Sequence, residues 1–476
     1  MVKKGNLFLL IKSLSKSEKR YFRIFAEMSG RDVNYLQLFD AIDEQKEYDE
    51  EGIRKKLKGK RFLSQLHVTK IYLTELILKA LKNYHSDTSI QSKLLDLLRD
   101  IELLFDKELY DLCYYKIQKA EDLADQYEKL PLLTEVFFWK RKLALAISGK
   151  RQDIYSLLVK EKTAIEKMKV LNTYWQHTIN IGSLLNDDNF LRDLTSKESE
   201  IAYALQSRVL QAHILYSLRF IKGDMKEAEK HISDLIELLE GFPDRIKDDP
   251  HSYVTAISNK IGLYLICKRW DEIPALIYKI REVPLKYQLK NESRFTVRLW
   301  LRTFNVELEM YRDSKQLEKG IALMDEIQQF IEKRRKAIPV DYILLLYYQF
   351  ANIFFLKKEY VKSLRWLNEI INANFGNTRE DIQSYARILN LIVHFELNNI
   401  IVLRYAVDSC RRFLKKKSTE ISVGKEILNL FSKLSHAYPE EYQTIFKKAY
   451  TEIFPPHSQQ TQDYIDIKGW LIEKLS

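Results

Sequence analysis

The residues of this 476-residue chain whose types and spacing could do chemistry are chiefly cations. Arg54, Lys55, Lys56, Lys58, Lys60 and Arg61 form its densest positive run, and such a run can contact nucleic-acid phosphates. It can equally be a solvated run that closes a helix ahead of Gly59, because lysine and arginine are favoured near a helix C-terminus. No base-reading cluster accompanies it. The arrangements that catalysis needs are missing. The nine histidines never recur at the i, i+4 spacing of a zinc helix, the cysteines never fall as C-x-x-C, and there is neither a phosphate-cradling glycine loop nor a G-x-S-x-G elbow. Acidic pairs such as Asp187-Asp188 and Asp248-Asp249 read as loop or capping residues. The chain is therefore expected to be non-enzymatic, with no catalytic residues, no cofactor and no metal site. Cys113, Cys267 and Cys410 are far apart and read as small buried apolar residues in a reducing compartment.

The elements that position these side chains are helices. Only 13 Gly and 9 Pro interrupt a chain dominated by Leu, Ile, Lys, Glu and Tyr, which favours helix nearly throughout. The clearest stretch, Tyr347 to Ile371, reads as two helices folded back on each other across Lys357-Lys358-Glu359. Its frame is an anchor followed by residues three, nine, twelve and sixteen further on: Ala351, Phe354, Tyr360, Ser363, Leu367. The same frame fits Ile101, Leu104, Tyr110, Cys113, Ile117, then Tyr216, Arg219, Met225, Ala228, Ile232, and Ile261, Tyr264, Trp270, Ile273, Ile277. It fits again at Leu308, Tyr311, Leu317, Gly320, Met324 and at Leu391, His394, Ile400, Leu403, Val407. A bulky residue after the turn plugs the open end of a helix pair, and small or flat residues serve where backbones approach closely.

This pattern resembles the tetratricopeptide (TPR) family, which pairs small and aromatic residues on two helices at a period of about 34 residues. Gly223-Asp224-Met225-Lys226-Glu227-Ala228 is the most family-like turn. From Met225 onward the steps between plugging residues are 45, 47, 43 and 40, longer than the family's, which costs little because loop-closure entropy grows only logarithmically. The resemblance covers roughly Ser86 to Lys417, with a poor frame between Tyr110 and Met225 that leaves room for two further pairs around Ile154 and Phe190. It implies an all-α, TPR-like α-solenoid of antiparallel helix pairs, acting as a scaffold or adaptor that binds a peptide or protein through its concave face. It further implies that Asn259, Arg302, Asn305, Gln349 and Asn352 face that groove. There they would hold a peptide backbone or carboxylate by hydrogen bonds, or simply be solvated. Arg387, Asn390 and His394 share one helical face where the frame wants apolar packing. They either form an internal polar network with the C-terminal helices or mark a site, since buried polar groups must be hydrogen-bonded.

Three regions are expected. Residues 1–85 form an N-terminal helical cap, loosely like a helix-turn-helix module, residues 86–450 the helical repeats, and residues 451–476 a linker and a capping helix. Ser15-Lys16-Ser17-Glu18 and Thr195-Ser196-Lys197-Glu198 are capping boxes. Asp49-Glu50-Glu51 starts a helix, and a long amphipathic helix carries Leu63 through Leu81. Pro131, Pro250, Pro339 and Pro439 mark helix starts. After Pro455-Pro456, the last helix, with Trp470 and Leu471, either folds back as a lid or docks on a partner or second copy. The net charge of +11 favours acidic surfaces, so the runner-up reading is a nucleic-acid-associated regulator whose repeats act as sensor. No apolar run reaches the ~18 residues of a membrane span. The opening MVKKGNLFLLIK is too short in its apolar part for a signal peptide, and a cytoplasmic location is expected.

Overall fold

The computed structural model describes residues 5–28, 33–86, 88–147, 153–184, 204–289, 293–335, 337–373, 375–376, 378–415, 424–454 and 465–476. Every regular element among the described residues is a helix, and none of these helices is long and apolar enough to cross a membrane. The Thr195–Glu198 capping box, the Asp187-Asp188 pair, Phe190, Lys416, Lys417 and the Pro455–Tyr464 stretch lie outside the described residues. By its internal contacts the chain divides into Met1–Ile214 and Leu215–Ser476.

The first unit contains α1 (Asn6–Ser13), α2 (Lys16–Met28), α3 (Val33–Glu44), α4 (Glu50–Lys56), α5 (Leu66–Tyr84), α6 (Ile90–Asp106), α7 (Tyr110–Gln126), α8 (Leu130–Ala146), α9 (Asp153–Ile179) and α10 (Ile181–Leu184). The helix α11 (Leu205–Ile221) spans the dividing point. Among the described residues of the first unit two apolar clusters are seen. One, with Ile11, Phe22, Phe39, Ile42, Ile53, Leu73 and Ile77, belongs to α1–α5. The other, with Leu94, Ile101, Ile117, Val136, Phe137 and Leu143, belongs to α6–α9. The Ser15 capping box forms as expected: Glu18 N donates to Ser15 Oγ at 3.2 Å, and Ser15 N donates to Glu18 Oε2 at 2.6 Å. The other Glu18 oxygen lies 2.7 Å from His85 Nε2, tying the start of α2 to the residue that ends α5. The long helix expected from Leu63 starts later. A 3₁₀ turn, Arg61–Gln65, follows Gly59, whose φ is +90°, and precedes α5.

The second unit continues with α12 (Met225–Glu240), α13 (Pro243–Asp248), α14 (Pro250–Ile266), α15 (Ile273–Lys286), α16 (Arg294–Asp313), α17 (Leu317–Arg334), α18 (Val340–Leu356), α19 (Tyr360–Ile371), α20 (Glu380–Glu396), α21 (Ile400–Lys415), α22 (Gly424–Leu434), α23 (Tyr442–Ile453) and α24 (Ile467–Leu475). From α14 to α24 each helix packs on the next. The alternate helices α16, α18, α20 and α22 also touch in sequence. Pro250 stands at the first position of α14, whereas Pro339 is the residue just before α18.

One turn recurs at the same place in the sequence frame. Seven residues after each anchor, Glu108, Gly223, Lys268, Lys315, Lys358 and Asn398 adopt φ of 59°, 79°, 58°, 59°, 62° and 56°. The next residue in each case donates its amide back across the turn: Leu109 to Leu104 O at 3.0 Å, Asp224 to Arg219 O at 2.9 Å, Arg269 to Tyr264 O at 2.9 Å. Gln316 likewise bonds Tyr311 O at 2.8 Å, Glu359 bonds Phe354 O at 2.9 Å and Asn399 bonds His394 O at 2.9 Å. A second bond, such as Lys358 N to Phe355 O at 2.9 Å, completes the Schellman geometry that satisfies the open carbonyls of a helix end. The following helix then begins at the plugging residue, as at Tyr110, Met225, Leu317, Tyr360 and Ile400. Trp270 instead opens a 3₁₀ turn that leads into α15. The same turn also joins α7 to α8 at Glu128 and follows α15 at Gln288.

Side chains at the twelfth position seal the pair. Ser363 Oγ donates to Ala351 O at 2.8 Å, and Cys113 Sγ lies 3.7 Å from Ile101 O. At Gly320 a Cβ would come 3.5 Å from Tyr311 Cβ on its own first helix and 3.0 Å from Ile353 Cδ1 on α18, the next helix. Cys113 and Cys410 are buried, but the expectation for Cys267 is wrong: it is exposed, because it caps α14 at the turn. The last helix α24 packs within its own chain on α23, with Trp470 among Phe395, Phe431 and Phe446. Glu396 fixes it, accepting from Trp470 Nε1 at 2.6 Å and Lys474 Nζ at 2.8 Å.

Lys315 is exposed and holds a left-handed conformation that costs a non-glycine residue about 1–2 kcal/mol. Lys315→Gly should raise the unfolding free energy by ~0.5–1 kcal/mol in urea denaturation, and Lys315→Val should lower it. Loss of stability in the glycine variant would contradict the turn geometry.

Candidate functional site

A polar cluster lies across the facing first helices α16 and α18. Asn305, Glu309 and Arg312 stand at i, i+4 and i+7 and so share one face of α16. Gln349 on α18 is 4% exposed and bridges to that face: its Nε2 donates to Asn305 Oδ1 at 3.3 Å, and its Oε1 accepts from Arg312 Nη1 at 3.0 Å. Arg312 also donates through Nε to Asp313 Oδ1 at 2.6 Å, and its Nη2 lies 3.8 Å from Glu309 Oε1. Burial works against the Arg312 charge, but Asp313 and Glu309 outweigh it and hold the guanidinium pKa above its ordinary value. Burial pushes the Glu309 carboxyl up, while Arg312 pulls it down and Asp313 adds to the rise.

One turn further along α18, Asn352 is 5% exposed and its Nδ2 has no hydrogen-bond partner among the described residues. A buried donor left unmatched typically costs ~1–3 kcal/mol. The amide therefore gains from any acceptor that approaches it.

The other residues expected on this face do not join the cluster. Arg302 is exposed on α16 and has no hydrogen bond or ion pair among the described residues. Asn259 is half-buried on α14, and its contribution is a backbone one: its carbonyl accepts from Tyr216 Oη at 3.0 Å. Sequence reasoning missed Glu309 and Arg312. Their spacing from Asn305 was visible, but only the register of α16 against α18 brings them to Gln349.

Arg387, Asn390 and His394 lie on α20, and no hydrogen bond joins them to one another. Arg387 instead donates Nη1 to Gln383 O at 2.9 Å and Nη2 to Ile371 O at 3.4 Å, and its guanidinium stacks 3.7 Å from the Phe413 ring centroid. Asn390 and His394 are buried, and burial pushes the His394 imidazole pKa down. His394 Nδ1 has no partner among the described residues.

The basic run is partly neutralised by the chain itself. Glu50 Oε1 accepts from Arg54 Nη2 at 3.3 Å, and Lys56 pairs with Glu44. Arg54 Nη1 donates in addition to Leu63 O at 3.1 Å. Lys55, Lys58, Lys60 and Arg61 remain exposed, without an acidic partner among the described residues. No group of His, Cys, Asp and Glu that could hold a metal ion occurs among the described residues.

Glu50 anchors this region. Hydrogen bonds from Lys70 Nζ at 2.7 Å and Tyr48 Oη at 2.9 Å hold its carboxyl down to about 2, against an ordinary 4.5. Its contribution to stability is therefore fully present above pH 4.5 and is lost as the pH falls through 2. The pair is partly solvated, so the effect is modest, ~0.5 kcal/mol. Glu50→Gln should lower stability by about this amount at neutral pH and show no difference from wild type near pH 2, measured by urea denaturation across that range. A constant difference between the two proteins would contradict the assignment.

No family model matches the chain, and no curated protein or solved structure is significantly similar to it.

Proposed function

We propose that the chain is a TPR-like α-solenoid of antiparallel helix pairs that works as a non-enzymatic scaffold or adaptor, holding an extended segment of another protein along the face of its first helices. Two features support the solenoid. The turn with a left-handed residue at the seventh position recurs, and alternate helices α16 to α22 pack in sequence as well as neighbouring ones. Each pair then shields the apolar side of the next, as repeat architectures require. The helices α1–α5, with their own apolar cluster, would act as the cap at one end.

The single observation that carries the functional reading is the pairing of a fixed amide with an unmatched one. Arg312 and Asn305 lock Gln349, while the nearby Asn352 presents a buried donor with no acceptor. A peptide carbonyl is the natural match for such a donor, because extended peptides offer main-chain acceptors at regular spacing. Arg302, exposed on α16, adds a cation for an acidic side chain or carboxylate.

A second reading, phosphate contact with a nucleic acid, draws on the exposed Lys55, Lys58, Lys60 and Arg61. It is the weaker one, because Arg54 and Lys56 are neutralised by Glu50 and Glu44.

Affinity capture from cells that produce the protein tests the first reading. Wild type should retain at least one protein that the double variant Arg302→Ala, Asn352→Ala loses by about tenfold or more, corresponding to ~1.4 kcal/mol. Identical captured sets, from variants shown by circular dichroism to be folded, would overturn it.

A further inference from the structure

A cleft of about 390 Å³ opens between α15, α16 and α17, lined by Arg281, Leu285, Trp300, Glu326, Phe330 and Arg334 among others. That volume suits a small organic molecule. None of these residues belongs to the Asn305–Gln349 cluster, so the cleft is independent of the peptide-binding reading.

Its floor is aromatic. The Trp300 ring lies 6.3 Å from that of Phe330 at 36°, and Phe304 backs both, edge-on to Phe330 at 5.4 Å and 5.6 Å from Trp300. Guanidinium groups stand over this floor from two helices. Arg281 on α15 is 4.8 Å from the Trp300 centroid. It is fixed there by Nε to Thr303 Oγ1 at 3.1 Å and Nη2 to Glu307 Oε2 at 2.7 Å. Arg334 on α17 is 4.5 Å from the Phe330 centroid and has no carboxylate partner among the described residues.

Charge along α17 is graded. Glu326, Phe330 and Arg334 follow at i, i+4 and i+8 on one face, so the acid and the free cation stand about 12 Å apart, two helical turns. Glu307 already balances Arg281, which leaves the Arg334 end of the cleft electropositive beside the rings. Leu285, which also lines the cleft, is 80% exposed. Arginine stacked on a ring keeps its N–H edge available for an anion, while the ring beside it offers a flat surface to a second π-system.

We propose that this cleft binds a small aromatic anion, an aryl phosphate or aryl carboxylate, with its ring against Trp300 and Phe330 and its anionic group on Arg334 beside Arg281. Binding to the full-length chain is measured by isothermal titration calorimetry with phenyl phosphate, phenylacetate and uncharged benzyl alcohol. At least one of the two anions should bind about tenfold or more tightly than benzyl alcohol, and Arg334→Met should abolish that difference. Which anion it is separates phosphate from carboxylate recognition. Leu285→Glu, a change at an exposed position, should weaken the anion severalfold through like-charge repulsion, and Leu285→Arg should strengthen it. No anion binding at ~10 mM overturns the proposal. So does equal affinity for anion and alcohol, or anion affinity unchanged in Arg334→Met and both Leu285 variants.

Discussion

The structure of each helix pair depends on how its first helix is stopped. An α-helix that runs on cannot fold back on itself, and one that simply frays leaves open carbonyls facing an apolar neighbour. At Lys358 the backbone turns left-handed, the Glu359 amide returns to Phe354 O, and Tyr360 begins the next helix at once. The same geometry at Glu108, Gly223, Lys268, Lys315 and Asn398 sets the short reach between paired helices. Only one of those positions is glycine. The rest hold the left-handed conformation because the turn bonds and the packing beyond it over-determine the backbone.

Once the turn is fixed, the approach of the paired helices follows. The twelfth residue after the anchor packs closely, so Ser363 bonds Ala351 O on its own first helix, while Gly320 leaves room for Ile353 on α18, the helix that follows its pair. Close approach of one pair then lets the first helices meet each other in series. The polar cluster of Asn305, Arg312 and Gln349 exists only because α16 and α18 are neighbours. At the other end of the unit, α24 is held by the Glu396 carboxylate and an aromatic cluster, so the apolar ends of α20 and α22 are covered from within the chain.

Much of this was legible in the sequence, and the reasons are local. The plugging residues Tyr110, Met225, Leu317, Tyr360 and Ile400 do begin second helices, because bulky residues at a pair's open end leave a signal at fixed spacing. The Ser15 capping box was legible for the same reason, its bonds running over three residues. Less visible were the left-handed positions, since lysine, glutamate and asparagine there do not announce φ > 0 as glycine would. Cys267 looked like a core residue because exposure at a helix cap depends on where the turn falls, one residue either way. The site was harder still. Gln349 and Asn352 could be placed on a face, but what satisfies the first is decided by Arg312, thirty-seven positions before Gln349. The aromatic cleft gave no sequence signal, since Arg281, Trp300 and Arg334 come from three helices.

Residue-resolved amide hydrogen exchange by NMR tests the repeated closure most directly. The amides of Leu109, Asp224, Arg269, Gln316, Glu359 and Asn399 lie outside any helix by sequence position, yet each is bonded across its turn. They should exchange orders of magnitude more slowly than an open loop amide, and to a similar degree in all the pairs. Exchange at the rate of unprotected amides, or protection in only one or two of the turns, would contradict the account.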